Sequence, residues 1–482
     1  MEGDSGFRSF HTGPIVQTGP HGEQPARSFA FVHWKLNMTS EVIEKFRQDI
    51  GSVFSTTEER MLARKSRDFH WYSPVLTPQL QHYLADVVVQ PQTEQEIAAI
   101  SAAAAKRCIP ITVRGGGTGN YGQSVPLRGG IVLDMTRFNQ VNSVESGSIR
   151  IQAGAIIKTA LTAALGTGQQ LMMYPSTLQS ATIGGYLGGG FAGIGSVRHG
   201  VIRDSGMIQS LKVMTIEENP EILTLSGDDV GLVFHSWGTT GIILEAQLRL
   251  VPAETWIDCI ATFPTYGETI AFGNAAFASD LDLFLLSAVE KRFAPFYKRT
   301  RAYFDGTRDA MFSMVNEKDV DAFFALAAEF NGVRSMAVSE TERANANLRA
   351  IHETAFNHTT LMALQVDRSW TYLQVVMPDP FEPDLAEAQL ERFGDEALMH
   401  HEYTKEHGRP RIGGLPLIKF STEERLNEIM RSFEADGCII NNPHIFKLED
   451  GGRFDADGRK MAFRKRVDPM GLLNPGKLRS ID

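Results

Sequence analysis

The stretch ITVRGGGTGNYGQ, residues 111–123, sets five glycines within eight residues, directly after a β-like run and an arginine. Glycine serves where φ must be positive or where backbone must approach something closely. Successive backbone N–H groups in such a turn form an anion-binding concavity. Arg114, at the end of the run, adds a charge-assisted donor. The competing reading is a plain structural turn. Crowding of glycine beside a cation points instead to a phosphate-binding loop.

The surroundings of this loop read as an α+β domain. ADVVVQP (85–91) is a short apolar run stopped by proline, hence a buried strand. Thr93 and Glu96 make a capping box ahead of an alanine-rich helix that runs to Lys106. GIVLDM (130–135) and SIRIQAG (148–154) read as strands, and 156–165 as a helix. A second glycine-rich block, PSTLQSATIGGYLGGGFAG (175–193), precedes strands at 210–216, 221–227 and 241–252. Gly188, Gly190 and Gly193 match GxGxxG by spacing, but no clean strand precedes them and no amphipathic helix follows. That match is a false positive, and no GK[ST] closes either loop as a Walker motif requires.

After Pro252 the character changes. Strand-like segments at 257–263, 281–289, 359–366 and 371–378 alternate with helical ones near 266–277, 318–330, 339–353, 383–399 and 421–436. The stretch from 400 to 414 reads as strand or loop. The tail from 438 is polar, punctuated by proline and glycine, and unlike either half. Residues 1–65 read as a tail of about thirty residues followed by helix.

Composition narrows the function classes. The chain has 482 residues, a length that suggests more than one domain, and a net charge of −10. A nucleic-acid partner needs a basic face and is not expected. Cys108, Cys259 and Cys438 are far apart, so neither a disulfide framework nor a zinc ribbon is expected. With no secretory leader and no long apolar run, a cytoplasmic protein without a transmembrane segment is the expectation.

Taken together, the two glycine loops resemble the flavin-binding domain of the vanillyl-alcohol oxidase superfamily, the PCMH-type FAD domain. RGGGTGNYG (114–122) resembles its pyrophosphate loop, and ATIGGYLGGGFAG (181–193) its second FAD loop. GVIRDSGMIQSLKVMT (200–215), GTTGIILEAQLRL (238–250) and NPGK (474–477) resemble the segments that follow in order. The likeness covers roughly 66–252 and 438–482, nearest to the D-lactate and glycolate dehydrogenase branch of FAD-linked oxidases. It implies a PCMH-type FAD-binding domain of two α+β subdomains over 66–252, an inserted α+β substrate or cap domain over 253–437, and a C-terminal segment, 438–482, that returns to the flavin. It further implies FAD contacts from Arg114, Gly115, Gly116, Gly117, Thr118, Gly119, Asn120 and Tyr121 in the first loop. Pro175, Thr182, Gly184, Gly185, Gly188 and Gly189 would contribute from the second, with Ile242 and Ile243 near the adenine and Asn474 from the tail. Several relatives bond the flavin covalently through a histidine in the first loop. Thr118 or Asn120 stands there here, so non-covalent FAD is expected, with His199 and His444 as less favoured attachment points.

Flavin oxidation of an alcohol or hydroxy acid needs a base for the O–H proton and groups that hold the substrate. His358 before an apolar run, the cluster HHEYTKEHGRPR (400–411) and NNPH (441–444) are the candidates. From these, His444, His401, Tyr403, His358 and Arg411 form the expected catalytic set, with His444 foremost because it precedes the C-terminal flavin signature. Strand alternation puts His401 and Tyr403 on one face, and Arg409 and Arg411 on another if that stretch is extended. The arginine pair suits a carboxylate, hence a hydroxy acid. No metal is expected, since the H-x-x-x-H helical spacing is missing.

The expected function is an FAD-dependent oxidoreductase that oxidises a CH–OH donor, a small molecule, by hydride transfer to the flavin. Oxygen, a quinone or a protein as electron acceptor, and a homo-oligomer, are left open by the sequence. The alternatives are a reductase on the same fold and a flavin-bearing protein without turnover.

Overall fold

The computed structural model describes residues 39–451 and 458–479; the reading of residues 1–30 as tail lies outside them. Four sheets organise the described residues. In the first, Val87–Gln90, Ile131–Asp134 and Ile111–Arg114 run parallel, with Phe54–Thr56 antiparallel on the edge. These parallel strands are apolar runs because both faces are covered. Helix Glu94–Lys106 packs Ile97 and Ile100 against them, with Thr93 accepting from the Glu96 N–H at its N-cap. Residues 39–65 form two helices, Ser40–Asp49 and Glu59–Lys65, and Phe54–Thr56 between them joins the first sheet.

The second sheet is antiparallel and centres on Ile242–Pro252, flanked by Ser148–Gln152 and Ile208–Met214. The 241–252 run forms one long strand because it lies in mid-sheet and takes partners on both sides. The tail returns to the first sheet: Leu473 bridges Ile111 in parallel, and the Asn474 N–H donates to Ile111 O at 2.7 Å.

The 253–437 region builds seven strands of an eight-stranded antiparallel sheet, and the eighth, Ile439–Ile440, comes from the C-terminal segment. Along Trp256–Phe263 the side chains of Ile257, Cys259, Ala261 and Phe263 join one core together with helices Tyr266–Ala278, Val320–Glu329 and Pro383–Phe393. On the opposite face, Ile260, Phe284 and Phe312 join a core shared with Ile149, Leu211 and Ala246 of the second sheet. The two halves are also tied through backbone: the Gly195 N–H donates to Phe284 O, and the Val201 N–H to Lys405 O.

Four segments depart from the sequence reading, one of them the helix expected over 383–399, which ends at Phe393 and is followed by the strand Ala397–Leu398. TTLMALQV is a helix, His358–Val366, not a strand, because a short apolar run is ambiguous in period and burial decided it. TYLQVVMP splits into Trp370–Tyr372 and Val375–Val376, which pair in different sheets. The helix expected over 339–353 ends at Asn345, and Ile351–Thr354 forms a separate short turn. The stretch from 400 resolves into a hairpin, His400–Glu406 with Arg409–Gly414. Its two-residue turn, His407 and Gly408, sits at φ +51° and +72°, the positive pair that matches the twist of flanking strands.

Candidate active site

A cavity of about 490 Å³ lies between the two glycine loops and the large antiparallel sheet. One side is made of backbone. Gly115 to Tyr121 line it, together with Pro175, Thr182, Gly184, Gly185, Gly188, Gly189 and Ile243. The loops interlock: a Cβ on Gly116 would collide with Ser180 O, and one on Gly184 would lie 2.8 Å from Ala153 Cβ. Gly117 holds φ +66°, with the Arg114 guanidinium packed beneath it. Among the described residues, no backbone N–H from Gly116 to Asn120 has a hydrogen-bond acceptor. Unsatisfied donors converging in a concave loop are what an anion would complete.

Three of the expected cofactor residues stand behind this surface. Arg114 donates to Arg67 O at 2.5 Å and Ser124 Oγ at 3.0 Å. Asn474 Nδ2 donates to Gln123 O and Trp237 O, each at 2.7 Å, and so ties the tail to the loop. Ile242 is fully buried in strand core. Lys477 is a further support: its ammonium is buried, donates to Gly122 O at 2.5 Å, and is pushed down to about 7 by burial.

The residues fit FAD. The cavity meets an unpaired row of N–H groups, and Gly188, which lines it, carries no atom within 4 Å of where a Cβ would stand. Trp237 also lines it, held at φ +51° and stacked on Tyr121 at 5.7 Å, with a buried Nε1 that has no hydrogen-bond partner among the described residues. Non-glycine residues at positive φ and unsatisfied buried donors are enriched at ligand sites.

The other side is made of side chains. Along His400–Glu406 the alternation sends Glu402, Thr404 and Glu406 to the cavity, and from the paired strand Arg411, Gly413 and Leu415. Glu402 is 2% exposed; its Oε1 accepts from the Phe356 N–H at 2.7 Å and Ser287 Oγ at 3.2 Å, with His400 Nε2 at 2.8 Å. Its Oε2 is buried without a hydrogen-bond partner among the described residues. Glu406 is paired with both Arg203 at 2.8 Å and Arg411 at 2.7 Å, and the Arg411 guanidinium lies 4.6 Å over the Phe191 ring. Asn357, His358, Gln374 and Asn441 complete this wall.

His358 opens the helix His358–Val366 at the cavity edge. Its Nδ1 lies 3.1 Å from Glu353 O, so Nδ1 carries the proton and Nε2 is the acceptor in the neutral ring. Burial, the largest cause, depresses its pKa below the ordinary histidine value, which keeps the ring neutral.

Of the expected catalytic set, His358 and Arg411 line the cavity, and the other three do not. His444 is buried beneath Tyr372: Nε2 donates to Tyr372 O at 2.9 Å and Nδ1 pairs with Ser73 Oγ at 2.7 Å, which occupies both nitrogens. His401 and Tyr403 do share a strand face, but it is the one packed on helix Tyr266–Ala278. His401 Nδ1 meets the Tyr266 hydroxyl at 2.7 Å, and Tyr403 donates to Ile270 O at 3.2 Å. Burial pushes His401 down to about 3 and His444 to about 4. Arg409, expected beside Arg411, is exposed at the hairpin end. Sequence reasoning passed over Glu402, Gln374, Asn441 and Trp237; for Glu402 the signal was present, since it alternates with His401 and Tyr403. Among the described residues, no group of His, Cys, Asp and Glu side chains could hold a metal, and no helix is long and apolar enough to cross a membrane.

Comparison with known proteins agrees with this geometry. Residues 85–226 match the FAD binding domain family. The glycolate oxidase subunit GlcD of Bacillus subtilis is 31% identical over 192 residues, 38% of this chain and 40% of that protein. A D-lactate dehydrogenase of Anaerostipes hadrus is 28% identical over 259 residues, 48% of this chain and 50% of that protein. The chain thus spans about half the length of the curated relatives it matches, or less. Alkyldihydroxyacetonephosphate synthase shares the fold, with a TM-score of 0.69 at 16% identity over 90% of this chain and 85% of that one. The chain carries a PCMH-type FAD-binding domain and has relatives among the D-lactate and glycolate dehydrogenase-like FAD oxidoreductases.

Proposed function

We propose that this protein is an FAD-dependent oxidoreductase that oxidises a CH–OH donor in the cavity between the glycine loops and the large sheet. The observation that carries the reading is His358: a neutral imidazole with its acceptor nitrogen free of protein partners among the described residues, on the wall facing the flavin loops. When bound, FAD supplies the two-electron acceptor that takes hydride from the donor carbon. His358 Nε2 takes the hydroxyl proton, while Nδ1–H stays on Glu353 O and fixes the tautomer. Glu402 orients the donor through its carboxylate, held in place by the Phe356 N–H and Ser287. Arg203 and Arg411 both pair with Glu406 at the cavity edge. The unpaired N–H row from Gly116 to Asn120 receives the diphosphate, with Thr182, Gly184 and Gly185 beside it.

The flavin is held without a covalent bond. Thr118 and Asn120 are not nucleophiles, and His199 and His444 do not line the cavity. Acid precipitation should release the yellow colour into the supernatant; colour kept in the pellet would refute this. A flavin carrier without turnover is less favoured, since it has no use for a base and carboxylates on the facing wall. Anaerobic mixing with alcohol donors, read by flavin bleaching, tests the reaction class. Reoxidation by oxygen, a soluble quinone or a protein acceptor then separates the acceptors.

A further inference from the structure

The charges on the cavity wall bear on what the donor can be. The charged residues lining the cavity are Asp68, Glu402 and Glu406 against Arg203 and Arg411. Both arginines are committed to carboxylates of the protein itself: they share Glu406, and Arg203 also meets Asp204 at 3.2 Å. Asp68 belongs to the flavin side, where it is paired with His70 at 3.0 Å. Glu402 is the exception. Among the described residues no lysine or arginine pairs with it, its donors are a backbone N–H, a hydroxyl and His400, and its Oε2 has no partner.

A buried carboxylate oxygen without a donor is costly and calls for a hydrogen bond from whatever fills the space. A donor molecule that carried its own carboxylate here would meet like charge and find no uncommitted cation. Hydroxyl groups have the reverse character, since they donate. His358 Nε2 and Glu402 are two acceptors reached from one short segment, because the Phe356 N–H binds Glu402 and His358 follows two residues later. A molecule that satisfies both must present at least two hydrogen-bond donors, one of them the hydroxyl that is oxidised, and a second hydroxyl is the simplest neutral choice.

We propose that the donor is a neutral compound with neighbouring hydroxyl groups, of the alditol or aldose kind, and that Glu402 accepts the hydroxyl next to the one oxidised. This rests on the reading of the cavity as a site of CH–OH oxidation. In the step, the carbon loses one hydride to FAD and its oxygen loses one proton to His358, so CH–OH becomes C=O and the second hydroxyl is unchanged. The donor class therefore differs from the acids that name the glycolate oxidase subunit and the D-lactate dehydrogenase matched above.

The test uses the FAD-loaded full chain with xylitol, sorbitol, ribose and glucose in one arm and glycolate and D-lactate in the other. Two readouts are taken: anaerobic flavin bleaching, and binding by equilibrium dialysis, which needs no turnover. At equal concentration at least one neutral polyol is expected to bind and bleach at least tenfold better than either acid. Alditols acting without aldoses, or the reverse, decides between open-chain and ring donors. Glu402→Gln should weaken polyol binding at least tenfold. Glu406→Gln, which removes the carboxylate that the two arginines share, should raise binding of the acids severalfold. Tighter binding of the acids than of every polyol, or no polyol binding, overturns the proposal. Bleaching by the acids alone leaves CH–OH oxidation standing and removes only this inference; bleaching by neither arm removes both.

Discussion

The two walls of the cavity are built from different material. The flavin side is backbone: glycines 115–117, 184, 185 and 188, a row of N–H groups, and supports that stand behind it. The facing side is side chains from segments far apart in sequence, Asn357 and His358, Gln374, Glu402, Glu406 and Arg411, and Asn441. A backbone wall depends on the absence of Cβ atoms and fails as a whole when one is added. A side-chain wall can lose one group and keep its shape. The comparison predicts that changes on the first wall remove the flavin, whereas changes on the second leave the flavin bound and slow its reduction.

The largest effect is expected from Gly116→Val, since its Cβ would run into a backbone carbonyl, Ser180 O, that cannot swing aside. The variant should purify colourless, with FAD affinity down at least a hundredfold by fluorescence titration. Stoichiometric yellow protein would break the contrast between the walls. Next comes His358→Ala, expected to keep its flavin yet slow anaerobic bleaching about 10²- to 10⁴-fold, the usual worth of a positioned base. The same residue sets the pH dependence. Its depressed pKa leaves the ring neutral through pH 7, so the bleaching rate should be flat there and fall only on acidification below the ordinary histidine range near 6.5. A rate that falls already between pH 8 and 7 would exclude it as the acceptor.

Asn474→Ala lies between the walls in kind. It strands two buried carbonyls, Gln123 O and Trp237 O, and should cost about 2–4 kcal/mol of stability by denaturant unfolding, with weaker FAD binding as a consequence. The smallest effect on turnover is expected from His444→Gln, whose site is core. The bleaching rate should stay within about threefold, while the stability profile changes. In the native chain His444 is neutral down to about pH 4, whereas the unfolded chain takes up the proton near 6.5. The folded-state value is depressed, so its contribution is full above about pH 6.5 and is lost as pH falls toward 4. That gap corresponds to about 3 kcal/mol, which the glutamine variant should remove from the acid limb of the unfolding curve.

The same difference explains what was legible in the sequence. The flavin wall is local: RGGGTGNYG and ATIGGYLGGGFAG carry their own conformational signal, because glycine at Gly117 or Gly184 answers to one turn and one neighbour. The facing wall depends on strand parity and on which face meets which domain. His401 and Tyr403 sit on one face, as period-2 alternation requires, but alternation cannot say whether that face meets helix or cavity. The same parity sends Glu402 to the opposite face, which lines the cavity, although the sequence reading did not single it out. The apolar run at 359–366 misled for a related reason, since a run that short fits strand or helix until its neighbours are in place. His444 was singled out for its position before NPGK. That position brings the chain back to the first sheet, but the imidazole turns under Tyr372 to satisfy its own nitrogens.

The central claim is that one cavity holds the flavin on backbone and handles the donor with side chains. The most direct test measures flavin content and anaerobic bleaching rate on the same preparation of His358→Ala. The account predicts one FAD per chain, as in the native protein, with bleaching slowed at least a hundredfold. An unchanged bleaching rate at full flavin occupancy would contradict it.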